Sequence, residues 1–353
     1  MRELVRKSLQ IGGAFVGLIV GGGFASGQEI LQFFTGFGWY GLLGGILATL
    51  CFAFLGMNVA QLGCELQTTS HKKVVFYIAG RHFGLVIDFL ITLLLFAITV
   101  AMFAGGASTL NQMFGINLVL GSLIMAILTI STLMLNVKSI INVIALATPY
   151  LLAIILLIAI YSIFTMDLTF AEADRLAREQ STAAPNWIMG SLLYVSYNIA
   201  GGLTMLTVMG STVKSKRIAG LGGFIGGVLL GILIILMNIA LLAKMDIVTG
   251  TDMPILIIAN NIHPIVGLLM TIALLGMIYN TAVGMLFSFV VRFVQPKDKA
   301  FKRHVLYVGI IGYIASFVGF TTIVSKVYST MGYLGFAIMI AIVYSWMRRR
   351  KIV

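Results

Sequence analysis

The chain has 353 residues, of which 60% are apolar and only 10% charged, with a mean hydropathy of +1.07; soluble domains average about 25% charged residues, so water is excluded as the main solvent for most of this surface. A formal charge of +12 invites a nucleic-acid reading, but the basic residues cluster at the ends of apolar runs and form no basic domain, which excludes it. Since a helix needs about 20 apolar residues to cross the hydrocarbon core, the length accommodates roughly ten crossings and little else.

Taken in chain order, the apolar runs predict spans over residues 8–36, 39–66, 83–112, 118–136, 139–164, 187–209, 218–243, 264–293, 304–322 and 329–347. The first run follows Met1 to Lys7 and continues too long for a signal-peptide core, so no cleavable leader is expected. Cys51 and Cys64 lie in or beside one run, where a disulfide would close no structural loop, and both are read as reduced. The seventh span carries Gly223, Gly227 and Gly231 as a small-residue stripe, expected to serve internal packing rather than dimerisation. The longest connection between spans, Thr165 to Asn186, holds Asp167, Glu172, Asp174 and Glu179 and reads as a short amphipathic surface helix.

With the N-terminus inside, nineteen of the 23 Lys and Arg fall on the cytoplasmic side, leaving Arg175, Arg178, Lys244 and Lys326 outside. That asymmetry predicts a multi-pass protein of the cell membrane with both termini cytoplasmic, and it supports an even number of spans.

The first span contains Gly21-Gly22-Gly23-Phe24-Ala25-Ser26-Gly27-Gln28-Glu29 near the bilayer midplane. Each interior glycine costs about 1 kcal/mol of helix stability relative to alanine, so local unwinding is predicted here, provided that the bared backbone faces protein or a cavity. The spacing matches neither dinucleotide- nor phosphate-binding glycine loops, and no βαβ context exists. In the second half, Tyr197-Asn198-Ile199-Ala200-Gly201-Gly202 occupies a similar depth in the sixth span, with Tyr197 lying 176 residues beyond Gly21, half of the chain. Five spans per half force opposite orientations, and an interrupted helix at the start of each half is the pattern of an inverted-repeat transporter. The reading is one transmembrane domain over 1–353, all-α, with ten helices in a 5+5 inverted repeat (8–164 and 187–347) whose first and sixth helices are broken.

This arrangement resembles the LeuT-type fold of the amino acid-polyamine-organocation superfamily, and GGGFASGQEILQFF resembles the bacterial membrane-protein family labelled YkvI. The resemblance implies secondary transport of an amino acid or related amine-carboxylate. The amides around Ser26 and Gly27 would receive the substrate carboxylate, and carbonyls near Tyr197 and Asn198 would face its amine. Gly21, Gly22, Gly23, Phe24, Ala25, Ala200 and Gly201 would complete the backbone-lined site. Ser26 has an equal claim to a purely structural role as a cap of the outer half-helix. The coupling ion is left open between sodium and a proton, with no other cofactor. A sodium site would draw on Asn280 and Thr281 of the eighth span and on carbonyls near Gly17 and Val20.

Glu29 is the one acid placed deep in the hydrocarbon region, where a charge is costly and therefore functional by default. It is a candidate to bind a substrate amine, carry a coupling proton or neutralise a cation. Phe96, Phe103, Tyr194 and Tyr197 lie near mid-depth and are candidates to close over a substrate. Asp88, near Arg81 and His82, is expected in an interfacial ion pair. His71, His82, His263 and His304 lie at or beyond span ends and no paired-acid or HExxH motif sits in a span, so no enzyme is expected. The expected partners are a small-molecule solute and the lipid bilayer, and oligomeric state is left open. The alternative function is a sensor, receptor or channel-like subunit on a transporter fold, such as a spore-germinant receptor component.

Overall fold

A computed structural model describes residues 2–67, 71–135, 147–296 and 298–350. The start of the fifth predicted span with Lys138, and Lys297 and Lys351, expected from the charge asymmetry on the cytoplasmic side, lie outside them. All regular structure among the described residues is helical. The first span is split into α1 (Arg2–Ile19), α2 (Gly22–Ser26) and α3 (Gln28–Phe33). There follow α4 (Tyr40–Leu66), α5 (His71–Phe114), α6 (Leu118–Leu135) and α7 (Ala147–Phe164). The second half holds α8 (Phe170–Arg178), α9 (Trp187–Ser211), α10 (Lys216–Ala243), α11 (Pro254–Ile262), α12 (Pro264–Val290), α13 (Lys299–Ala315) and α14 (Ser329–Arg350). Six helical segments are by themselves long and apolar enough to cross a bilayer, counting α14 together with the turns that lead into it. The split first span, α6, α7 and α13 bring the crossings to ten, and the protein is a multi-pass membrane protein.

Two groups of helices carry the architecture. One is α1, α4, α9 and α10, packed mutually through glycine; the other joins α5, α6, α12 and α13. In the first group the stripe on α10 works as expected. A Cβ at Gly223 would stand 2.2 Å from the Gly56 carbonyl oxygen, one at Gly227 2.3 Å from the Ala53 nitrogen and one at Gly231 1.9 Å from Thr49 Oγ1. Glycine there permits backbone-to-backbone approach, which inside a membrane replaces the hydrophobic effect as the source of helix association. The opposite helix faces carry large apolar side chains such as Leu50, Leu157 and Ile340, all more than 60% exposed and suited to acyl chains rather than water.

In the second group, Arg292 at the end of α12 donates to the Asp88 carboxylate (2.7 Å), the Asp88 carbonyl (3.1 Å) and Thr92 Oγ1 (2.9 Å) of α5. Asp88 is thus ion-paired as expected, but across helices, with a residue far in sequence. Arg292→Ala should destabilise the protein by about 1–3 kcal/mol, read as a lowered melting temperature in detergent, because three hydrogen bonds that tie Arg292 to α5 would be lost, one of them to a carboxylate. An unchanged melting temperature would make the pair dispensable.

Three features depart from the sequence expectation. α5 begins at His71, before the predicted span, and is kinked at Gly80, which takes φ 74°. Residues 254–262, assigned to no element, form α11. The tenth span is entered through Gly319 (φ 90°) and a π-helical segment, Ile323–Tyr328. The predicted surface helix is present as α8, its N-terminus closed by a reciprocal Thr169–Glu172 capping box. Both cysteines are free.

Candidate functional site

α1 stops at Val20, whose amide still reaches the Val16 carbonyl (2.9 Å); the Gly21 amide turns back to Ile19 (2.8 Å) and Gly21 itself is extended. The Gly21 carbonyl then accepts from Ala25 (2.9 Å), opening α2 as a new helix. A second discontinuity follows at Gly27, whose φ of 85° is the left-handed region that glycine adopts without strain. The break predicted from the glycine run is therefore real, and it consists of two joints around one short turn.

The glycines also make room. A Cβ at Gly22 would stand 2.5 Å from Ile278 of α12, and one at Gly23 would stand 1.9 Å from Glu29 Oε1. Glu29 folds back from α3 onto α2, which only a residue without a side chain at position 23 allows. Its carboxyl is buried and faces Tyr194 and Tyr197 of α9 and Tyr328 of the π segment. The Tyr194 and Tyr197 hydroxyls are buried and have no well-formed hydrogen bond.

A cavity opens beside this carboxyl. Gly21, Gly22, Gly23 and Glu29 line it from the broken helix, Tyr197, Asn198 and Gly201 from α9, and Thr281 from α12. Leu18, Ile19, Ile98, Met102, Gly202, Met285 and Tyr328 complete the wall. About 50 Å³ is reachable by the centres of water molecules, room for roughly four waters in a closed-down pocket. Leu18, Ile98, Gly201 and Met285 each lie one turn from the Glu29 level towards the membrane face that carries the chain termini, and they are partly exposed. On the opposite face Phe33 and Phe34 pack against Tyr194, with centroids 5.6 and 5.1 Å from its ring. α11 lies over that face, Ile255 pressing on Gly27, and Gln112 of α5 exchanges hydrogen bonds with the Met253 backbone. The cavity is thus sealed away from the termini and leads towards them.

Several expectations are corrected. α9 runs unbroken from Trp187 to Ser211, through Tyr197–Gly202, so the sixth-span break is absent and the carbonyls near Tyr197 and Asn198 are engaged in helix. The Asn198 amide reinforces it by donating to the Tyr194 carbonyl (3.0 Å). The amides meant for a substrate carboxylate are occupied: Gly27 donates to Phe24 (3.0 Å) and Gln28 to Ser26 Oγ (3.1 Å). Ser26 has the structural role, since its hydroxyl also donates to the Gly23 carbonyl (2.7 Å). Phe24, Ala25, Ser26, Gly27 and Ala200 are buried in packing and do not line the cavity. Phe103 packs against Gly312 of α13 and Phe96 against Phe289, so neither is a gate here. Of the ion-site candidates Thr281 faces the break, 3.6 Å from where a Gly21 Cβ would stand, whereas Gly17, Val20 and Asn280 do not reach the cavity.

Tyr328 was not singled out from sequence. It lies just before the tenth apolar run, and only the π segment, which widens the turn, brings it over Tyr197 at a centroid distance of 5.0 Å.

No protein-family model matches the chain. The membrane protein YkvI of Bacillus subtilis strain 168 is 24% identical over 358 residues, 99% of each chain, and YyaD of the same organism is 27% identical over 269 residues, 76% of each. Among solved structures, Mhp1 in its inward-facing conformation superposes with a TM-score of 0.69 at 13% identity, over 98% of this chain and 77% of that one. MhsT in complex with L-phenylalanine gives 0.63 at 14% identity, over 96% and 87%. A manganese transporter of Eremococcus coleocola gives 0.59 at 17%, over 90% and 71%. The chain has the LeuT-type fold and is similar to YkvI from end to end.

Proposed function

We propose that the protein is a secondary active transporter, which moves a small amine-bearing solute through the Glu29 cavity by alternating access. The observation that carries this reading is a single buried carboxyl presented at a broken helix to a cavity sealed on one face only. The amine half of the expected amino acid keeps a partner in Glu29, while the carboxylate half has lost the amides expected to receive it. Relatives on this fold handle both classes, since MhsT holds L-phenylalanine and the Eremococcus protein carries manganese. Among the described residues no group of three or more His, Cys, Asp or Glu gathers, which favours an organic solute over a metal ion. The two five-helix halves, 8–164 and 187–347, are proposed to supply the two alternating states. Accumulation against a gradient in proteoliposomes tests this reading; saturable binding with no ion-dependent flux would instead assign a sensor.

Placement follows from charge. The termini-side clusters at Lys73, Lys216 and Arg217 would face the cytoplasm, making the sealed face external. With Cys51 and Cys64 replaced, cysteines at Lys73 and Lys216 should label only from the cytoplasmic side and one at Arg175 only from outside; the reverse pattern would invert the transporter.

Coupling to sodium, if it operates, runs through Thr281 with backbone oxygens at the break. Thr281→Val should then abolish a sodium-dependent rise in melting temperature measured against choline as the control cation. A parent protein indifferent to sodium leaves the proton, with Glu29 as its carrier.

A further inference from the structure

The electrostatic composition of the cavity narrows the solute further, on the premise that the transporter reading holds. Among the described residues Glu29 is the only carboxylic acid or base in its wall; no described Lys, Arg, His or second carboxylic acid lines it. The titratable groups that face the Glu29 carboxyl are all phenols: Tyr194 and Tyr197 from α9 and Tyr328 from the π segment. α1, α5 and α12 contribute Leu18, Ile98, Met102, Thr281 and Met285, none of which carries charge. A substrate carboxylate would therefore enter a small apolar space with no positive group to neutralise it, a burial that is strongly unfavourable. A cation meets the opposite situation. The carboxyl supplies its counter-charge, the Tyr197 hydroxyl, which lacks a well-formed hydrogen bond, supplies an acceptor oxygen, and the Tyr197 and Tyr328 rings in the wall add electron-rich surface. The remaining wall of Leu, Ile and Met suits an alkyl body, and the volume admits only a few heavy atoms.

A buried carboxyl with no resident basic partner must also be neutralised when the solute is absent, and a proton does this without any further ligand. We propose that the Glu29 cavity binds a small alkylammonium ion lacking a carboxylate, in exchange for the Glu29 proton. The exchange balances: the protonated carboxyl and the ammonium ion become a carboxylate–ammonium pair, and one proton leaves to the water on the side to which the cavity is open. The cavity is neutral before and after. Proton and solute cannot occupy it together, which makes the site an obligatory exchanger of one for the other.

The experiment uses the purified full-length chain and the probe pair isobutylammonium and valine, which share a carbon skeleton and differ by the carboxylate. In weakly buffered detergent solution containing a pH indicator, isobutylammonium is expected to raise the melting temperature and to release up to one proton per chain, and valine to do neither. Below the pH at which Glu29 titrates, the apparent Kd for the amine should rise tenfold for each unit by which the pH falls. Glu29→Gln should abolish the proton release and reduce the melting shift; the proton release of the unmodified protein is the primary measure, since it does not depend on the variant. Stabilisation by valine equal to that by the amine overturns the solute class, binding of the amine without proton release overturns the exchange, and absence of amine binding at millimolar concentration overturns both. Proteoliposomes separate this from the transporter reading. If the amine binds and releases its proton but an acid interior drives no isobutylammonium uptake, the site assignment stands and transport fails.

Discussion

Glu29→Gln is expected to abolish proton-driven solute accumulation in proteoliposomes and to weaken solute binding by about 1–3 kcal/mol, the range for a hydrogen bond to a charged group. Glutamine keeps the shape of the side chain and its fit against Gly23, so the substitution tests charge rather than packing. The same change should leave the melting temperature of the free protein equal or higher. A carboxyl buried at this depth is a cost to the fold, held there for function, and an uncharged replacement relieves it. Opposite signs for stability and activity are the informative result. A variant that accumulates and binds solute like the parent would reduce Glu29 to a structural acid and remove the basis of the proposed site.

The second large effect is purely mechanical. Gly63→Val should destabilise the protein by about 3 kcal/mol or more, at the upper end of overpacking costs, and should lower the yield of monodisperse protein. A Cβ at Gly63 of α4 would stand 2.1 Å from the Thr207 carbonyl oxygen of α9, and the reciprocal contact from Gly210 to the Ala60 carbonyl is 2.0 Å. Both obstacles are backbone, so neither can rotate away, and the two helices must separate along their length. Gly284→Ala provides the contrast. That glycine lies within α12, is exposed and has nothing within 4 Å of a built Cβ, so alanine should be neutral or stabilise by up to about 1 kcal/mol. Equal behaviour of the two variants would show that close α4–α9 approach is not what holds this group together.

Both glycine clusters that stood out in the sequence are at bilayer mid-depth, and they behave differently. In the first, four glycines within seven residues coincide with a carboxyl that must be accommodated, and the chain unwinds at Gly21 and turns left-handed at Gly27. In the second, Gly201 and Gly202 stay helical; a Cβ at Gly202 would meet Leu18 at 3.2 Å and Ile19 at 3.3 Å, so Gly202 serves to bring α1 against α9. Composition alone does not distinguish a glycine that breaks a helix from one that lets another helix approach, because the difference lies in the neighbour.

The crossings, a surface helix within Thr165–Asn186 and a break within the Gly21–Gly27 run were legible in the sequence alone, though α5 starts twelve residues before its predicted span. Each is a local consequence of apolar run length, capping chemistry or glycine density, and needs no knowledge of what packs against it. Only the tertiary structure decided that α9 stays continuous, that α11 forms over one face, that Asp88 pairs with Arg292, and that Tyr328 joins Tyr194 and Tyr197 around Glu29. Those outcomes depend on contacts between residues some 100 to 300 positions apart in the chain. In a bilayer such contacts are set by small-residue packing and by partners for buried polar groups, neither of which leaves a periodic trace in the sequence.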